Sequence, residues 1–235
     1  ISECLNSIIN QTIKNIEIIC VDDASTDKSL QILNEYQKKD SRIIILHNNK
    51  NQGQASSRNR GCCLARGEYL YVMDGDDRLQ DGALDRLYNC AKENKLDFVT
   101  FSASVFTNEN NLEMSLANKK MENLYLHNCS AQEVKSGIEL LAEIMENDET
   151  PGNLCLQFVN REFFEKNNLY WIEELRYGED SPFKMYMCAK RTMCIPDRLY
   201  QRRIRNNSMV TSVKKLCHLE SMIIQFAHDL QEWEK

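Results

Sequence analysis

Ile16-Glu17-Ile18-Ile19-Cys20-Val21-Asp22-Asp23 is an apolar run that stops on two carboxylates. Such a run, closed abruptly by charge, predicts a buried strand. The pattern returns at Glu68 to Met73, which leads into Asp74-Gly75-Asp76-Asp77. Arg42 to Leu46 and Asp97 to Phe106 predict two further strands. Helical stretches fall between them: residues 26–39, with Leu30, Leu33 and Tyr36 on one side, and residues 54–65. A third, carrying Leu84, Leu87 and Tyr88, is capped by Asp81 and runs to about Glu93. Repeated strand–helix units predict an α/β fold, with a Rossmann-like, mainly parallel sheet flanked by helices.

The second half is less regular. Residues 107–134 are rich in Asn, Glu and Lys and predict an insertion or flexible loop. A helix is expected over 136–147, a strand over 153–159 and short helices over 161–167 and 183–189. Cys194 to Arg205 reads as a strand ending in a basic turn. Residues 213–233 carry Leu216, Leu219, Ile223, Ile224, Ala227 and Leu230, the apolar stripe of a C-terminal helix. At the other end, Ile1, Leu5, Ile8 and Ile9 already follow helical spacing. The fold is therefore expected to lack an N-terminal strand in the chain as it stands.

Composition narrows the function classes. The net charge is −6, from 29 basic and 35 acidic residues, the wrong sign for a general nucleic-acid surface. Any phosphate ligand must then be held by a local cluster or a metal. No run approaches the 18 apolar residues of a spanning helix. The ten cysteines form no CxxC pair, which argues against zinc; they read as buried free thiols in a reducing cytoplasm. His47, His127, His218 and His228 lie in unrelated contexts and form no triad pattern.

Four stretches carry possible chemistry. Ligands of open parallel sheets bind beyond the carboxyl ends of strands, where Asp22-Asp23 and Asp74-Gly75-Asp76-Asp77 fall. Three carboxylates within four residues repel one another and call for a compensating cation or ample solvent. A hard divalent cation fits, and a solvated turn capping the next helix is the alternative. Asn51-Gln52-Gly53 precedes a helix whose start attracts anions, and Arg58 within it offers a fork to phosphate or base. Gly178-Glu179-Asp180 stands before Ser181-Pro182, as a functional pair or a helix cap. Arg202-Arg203-Ile204-Arg205 is either a local anion site or an exposed strand edge.

In this order the stretches resemble family 2 glycosyltransferases of the GT-A fold. The matching blocks are Cys4 to Ile8 with Gln11-Thr12, Glu17 to Asp27, Asn51-Gln52-Gly53 with Arg58-Asn59, and Gly67-Glu68-Tyr69. Asp74 to Asp77, Gly178-Glu179-Asp180 and the basic segment before Ser208 follow, so the resemblance spans roughly residues 3–210. It departs at the start, where family members open with a strand and a base-contacting loop.

The resemblance implies an inverting transfer of a sugar from a nucleotide diphosphate, a UDP-sugar foremost, to an acceptor hydroxyl in surface-polysaccharide synthesis. By position it implies Asp23 at the nucleobase, Asp74 at the ribose side or as the outer carboxylate of the Asp-x-Asp motif, and Asp76 on a Mn²⁺ or Mg²⁺ ion. Asp180 resembles the general base with Glu179 beside it, while Arg58, Arg203 and Arg205 resemble nucleotide or diphosphate contacts. Residues 1–106 would form the nucleotide-sugar half and 107–212 the acceptor and base half of one domain, followed by the 213–235 helix. An inactive nucleotide-sugar-binding module and a metal-dependent nucleotidyltransferase are the alternatives. The expected acceptor is a saccharide or lipid-linked saccharide, the expected location the cytoplasm or the inner face of its membrane. The C-terminal helix carries Glu220, Asp229, Glu232 and Glu234 on its polar face with few Lys. It is expected to pack on the catalytic domain or to form a homodimer, ahead of peripheral membrane association.

Overall fold

The computed structural model describes residues 1–108, 122–127, 132–149, 154–173 and 183–205. The expected C-terminal helix, the Gly178-Glu179-Asp180 stretch and most of the 107–134 segment lie outside these residues.

The elements run α1 (Ser2–Ile9), β1 (Ile18–Asp22), α2 (Ser29–Gln37), β2 (Ile43–His47), α3 (Gln54–Leu64), β3 (Tyr69–Tyr71), β4 (Arg78–Leu79) and α4 (Ala83–Asn94). They continue with β5 (Phe98–Phe106), α5 (Gly137–Glu146), a 3-10 turn (Leu154–Leu156), β6 (Gln157–Asn160), α6 (Arg161–Lys166), α7 (Phe183–Cys188) and β7 (Thr192–Arg203). α4 forms because Ala83, Leu87 and Ala91 recur every four residues and reach the core with no exposure. Its N-cap is Gly82 at φ +72°, and Asp81 makes no capping bond. The left-handed turn there suits glycine and takes the capping position from Asp81. α5 has a true capping box, Ser136 and Glu139 each closing on the other's backbone.

β1 and β2 pair in parallel, Ile18 opposite Ile43. The second sheet has the order β3-β6-β5-β7-β4. Within it only β5 and β7 run parallel, while β6 pairs antiparallel with β3 and β5, and β4 with β7. The expected parallel pairing thus holds where helices cross over between strands. β6 and the two-residue β4 instead return along their neighbours, so the sheet is mixed. β5 is the spine: residues 98–103 are buried without interruption, as a strand covered on both faces requires.

Residues 122–127 are packed, contrary to the loop expected there. Tyr125 O accepts from Ala103 N at 2.8 Å and His127 N donates to Ser102 Oγ at 2.9 Å, so this segment lines the edge of the β5 bend. The β5–β7 ladder shifts register between Phe101 and Ala103, and the shift frees these groups for the extra pairing. Cys194, 3% exposed on β7, is disulfide-bonded, a correction to the reading of all cysteines as free thiols. Seven other described cysteines are free.

β1 and β3 both end in the acidic residues, and α3 meets both ends: Gly53 N donates to Asp23 and Gln54 to Asp74. The two strands therefore point the same way. Between their edges lies a groove of about 1020 Å³, walled by Ile19 and Val21 on one side and Leu70 and Tyr71 on the other, with Gly61 and Cys62 of α3 across it. Among the described residues no strand pairs with either of these edges.

Candidate active site

The acidic turn follows β3 directly and is closed by Asp77 N donating to Asp74 O at 3.2 Å. β4 then pairs Arg78 with Gln201 and Leu79 with Tyr200, which pins the turn beside the end of β7. This short pairing brings the basic run to the carboxylates.

The three carboxylates part company. Asp77 points inward and is 2% exposed. It accepts from the Tyr200 hydroxyl and, at 2.6 Å, from Arg203 N. Burial pushes its pKa up to about 6, against the pull of those two donors. Asp74 lies at the mouth: Arg58 Nη2 (3.3 Å) and Gln54 Nε2 (3.2 Å) both reach its Oδ1, and Arg202 Nη1 lies 4.0 Å from its Oδ2. Asp76 is the most open of the three at 36% side-chain exposure, and its Oδ2 meets Arg205 Nη2 at 3.0 Å.

Arginines thus supply the charge compensation that the sequence reading sought from a cation or solvent. Arg203 is built into the turn. Its Nε donates to Asp76 O at 2.7 Å, its Nη2 pairs with Glu3 at 3.1 Å and its guanidinium lies 4.5 Å from the Phe106 ring centroid. Arg78 pairs with the same Glu3 and covers the same ring at 3.8 Å. Arg202 lies 5.4 Å from the Tyr125 ring centroid, with a buried Nη1 that has no hydrogen-bond partner.

On the far side, Asp23 accepts from Gln52 N (2.8 Å), Gly53 N (2.9 Å) and Asn48 Nδ2 (2.8 Å). Burial raises its pKa, yet these donors outweigh that and hold it below the usual carboxylate value. The Ser57 side chain is a fourth donor, so the carboxylate is held from several sides by the loop and the start of α3. Gly53 adopts φ +93°, a conformation that side-chain-bearing residues avoid. Asp22 is buried and bonds His47 Nδ1 at 2.8 Å.

The structure therefore gathers Asp74, Asp76, Arg58, Arg203 and Arg205 in one place and sets Asp23 at the opposite end of the α3 N-terminus. Asp180 and Glu179 lie outside the described residues. The segment leading toward them is anchored, however. Asn59, next to Arg58, accepts from Trp171 N and donates to Trp171 O, both at 2.9 Å, and reaches Glu173 at 3.0 Å. Gln54 and Tyr125 were not singled out from sequence, and Arg202 only as a member of the basic run 202–205. Strand alternation carried a signal for Arg202: residues 202 and 203 must face opposite ways, so one of the pair had to join Tyr200 on the face of the carboxylates.

The family described as Glycosyl transferase family 2 matches residues 1–129 of the chain. The chain belongs to that family. A glycosyltransferase of Bacillus subtilis, EpsJ, is 32% identical over 213 residues, which cover 89% of this chain and 58% of EpsJ. The poly(ribitol-phosphate) beta-glucosyltransferase of Bacillus spizizenii is 47% identical over 100 residues, or 41% of this chain and 16% of that protein. The S. aureus TarS fragment solved with UDP-GlcNAc superposes with a TM-score of 0.73 at 22% identity, over 95% of this chain and 61% of that one. The fold is the GT-A fold of these glycosyltransferases. Among the described residues of this family 2 chain, no helix is long and apolar enough to cross a membrane.

GT-A glycosyltransferases of this family generally use a divalent metal. Among the described residues no group of three His, Cys, Asp or Glu side chains converges as a ready cage. Two partly exposed carboxylates on one turn are nevertheless the donor set of an ion that completes its shell with water and substrate phosphates. Asp76 and Asp74 fit that description, and Asp77, turned into the protein, does not.

Proposed function

We propose that this family 2 chain carries the donor-binding and catalytic part of an inverting hexosyltransferase. It moves a sugar from a nucleotide diphosphate, a UDP-sugar foremost, to an acceptor hydroxyl in surface-polysaccharide assembly. The observation that carries the proposal is the open acidic turn ringed by guanidiniums on a protein of net charge −6. That arrangement suits a ligand that is itself anionic. A relative named for glucosyl transfer to poly(ribitol-phosphate), and a structural neighbour solved with UDP-GlcNAc, support the donor class.

In this reading Asp23, fixed by the donors around it, meets the base, and Arg58 and Arg202 line the path of the diphosphate. Asp76 and Asp74 would hold Mn²⁺ or Mg²⁺, which when bound neutralises charge on the leaving diphosphate. Asp180 takes the proton of the acceptor hydroxyl as its oxygen bonds the anomeric carbon from the far side. The bond to the phosphate oxygen breaks, the nucleoside diphosphate leaves, and the centre inverts. Glu179 positions that base. The acceptor is a saccharide or lipid-linked saccharide, and the enzyme works in the cytoplasm at the inner face of the membrane, with the 213–235 helix packing on the domain or on a second copy.

The test is a panel of UDP-, GDP-, CDP- and dTDP-sugars, scored by metal-dependent thermal stabilisation and then by donor hydrolysis. Stabilisation and hydrolysis by one nucleotide class support the reading. Stabilisation without turnover, with matched acceptors supplied, points to a binding module, and no response to any donor overturns the proposal.

A further inference from the structure

Strand alternation puts Arg198, Tyr200 and Arg202 of β7 on one face. Residues 122–127 touch two of the three: Glu122 Oε1 meets Arg198 Nη1 at 2.6 Å, and the Tyr125 ring lies against the Arg202 guanidinium. Tyr125 N donates to Glu122 O at 3.0 Å and closes a turn between these contacts. The same short segment is tied to β5, where Ala103 N donates to Tyr125 O and His127 N to Ser102 Oγ. Beyond that, His127 Nδ1 meets Glu149 Oε2 at 3.2 Å, with both side chains buried. The segment is thus a strap fixed at both ends, and the Tyr125 ring is buried between them.

Arg202 is held more loosely by the acidic turn. Its Nη1 lies 4.0 Å from Asp74 Oδ2, beyond hydrogen-bond reach, and makes no hydrogen bond. An ion pair that long attracts the guanidinium without orienting it. An aromatic ring attracts a cation within about 6 Å of its centroid, and Arg202 lies at 5.4 Å. On a strap fixed at both ends, that ring is also a wall that limits where the guanidinium can go. We propose that Tyr125 is a positioning residue, holding Arg202 at the acidic turn in place for the phosphate oxygens of a nucleotide. The proposal rests on the donor reading given above. Nη1 reaches phosphate without breaking a hydrogen bond, and the long side chain is already ordered before the ligand arrives. Planar guanidinium then matches the phosphate oxygens in geometry as well as charge.

The test is the affinity of the whole chain for UDP and for uridine, which lacks the diphosphate, at one fixed Mn²⁺ concentration. The proteins are wild type, Tyr125→Leu, Tyr125→Phe, Arg202→Gln and the Tyr125→Leu, Arg202→Gln double variant. Tyr125→Leu is expected to weaken UDP roughly five-fold or more and to leave uridine unchanged. Tyr125→Phe keeps the ring and should bind UDP within about two-fold of wild type. Arg202→Gln should weaken UDP by itself, and adding Tyr125→Leu to it should cost nothing further. A purely structural role for Tyr125 would weaken UDP and uridine together, or would persist in the Arg202→Gln background, and either result overturns the proposal. Undiminished UDP affinity in Tyr125→Leu or in Arg202→Gln overturns it as well. A melting curve shows whether Tyr125→Leu folds; if it does not, Tyr125→Met, closer in volume, takes its place, and the Arg202→Gln result still decides. Wild type that binds neither UDP nor uridine overturns the donor reading, and this proposal with it.

Discussion

Asp77→Asn isolates the electrostatic cost of the inward carboxylate. In the folded protein its pKa is pushed up from 3.8 to about 6, burial being the main cause. The unfolded chain titrates it at its ordinary value. From about pH 4 to 6 the folded state thus holds more protons than the unfolded state, and stability falls as pH rises through that window. The stabilisation is fully present below about pH 4 and lost above about pH 6. A rise from 3.8 to about 6, at 1.36 kcal/mol per pH unit, amounts to about 3 kcal/mol. Asparagine keeps the shape. Its oxygen accepts from Arg203 N, its amide donates to the Tyr200 oxygen, and it has no proton to lose. Wild type and variant should be nearly equal in urea denaturation at about pH 4, with the variant more stable by up to about 3 kcal/mol at about pH 7.5. Titrating groups that do not interact with Asp77 cancel in that difference. A difference that does not change with pH would refute the inward, desolvated placement. The variant should also retain Mn²⁺-dependent UDP binding, because the lost charge faces β7.

Gly137→Ala should destabilise by 2 kcal/mol or more in the same assay, since a methyl there would overlap the Tyr186 carbonyl against which α5 packs. Asn59→Ala strands the Trp171 N–H and C=O and should cost roughly 2–4 kcal/mol; a loss below 1 kcal/mol would show that water replaces the clamp. Asp180→Asn should lower kcat by about 10²–10⁴-fold with donor affinity little changed, and Glu179→Gln should be milder; near-normal turnover in the first variant removes Asp180 as the base.

The alternation of strands and helices was legible because each buried run ends in charge or turn residues. β1, β2 and β5 fall within two residues of their expected bounds. Strand direction was not legible. An apolar run carries no mark of which neighbour it pairs with, and β6 and β4 needed contacts from far along the chain. Of the site, the acidic turn and Arg58 were readable as local patterns. The division of labour within the turn was not, because it depends on β7 arriving beside it. The same pairing separated Arg203, which holds the turn together, from Arg202 and Arg205, which face its carboxylates. Tyr125 was hidden in a polar stretch whose composition resembles a loop, although its ring and backbone are docked on β5 and β7.

Successive helical residues are 100° apart, so four of them sweep almost the whole circumference. On α3 those four are Arg58, Asn59, Arg60 and Gly61, and each meets a different neighbour. Arg58 meets the acidic turn, Asn59 the Trp171 backbone, Arg60 the His47 carbonyl at 2.9 Å, and Gly61 the edge of β1. The helix has no idle face along this turn. Rotating it to improve one contact would spoil the other three. A library randomised at these four positions should return few functional sequences, and fewer than four separate single-site libraries would suggest, because the substitutions compete for one rotation angle. An engineer seeking a new donor preference would do better to leave this turn of helix alone and vary Gln54, one turn earlier, whose side chain reaches Asp74 from an exposed position.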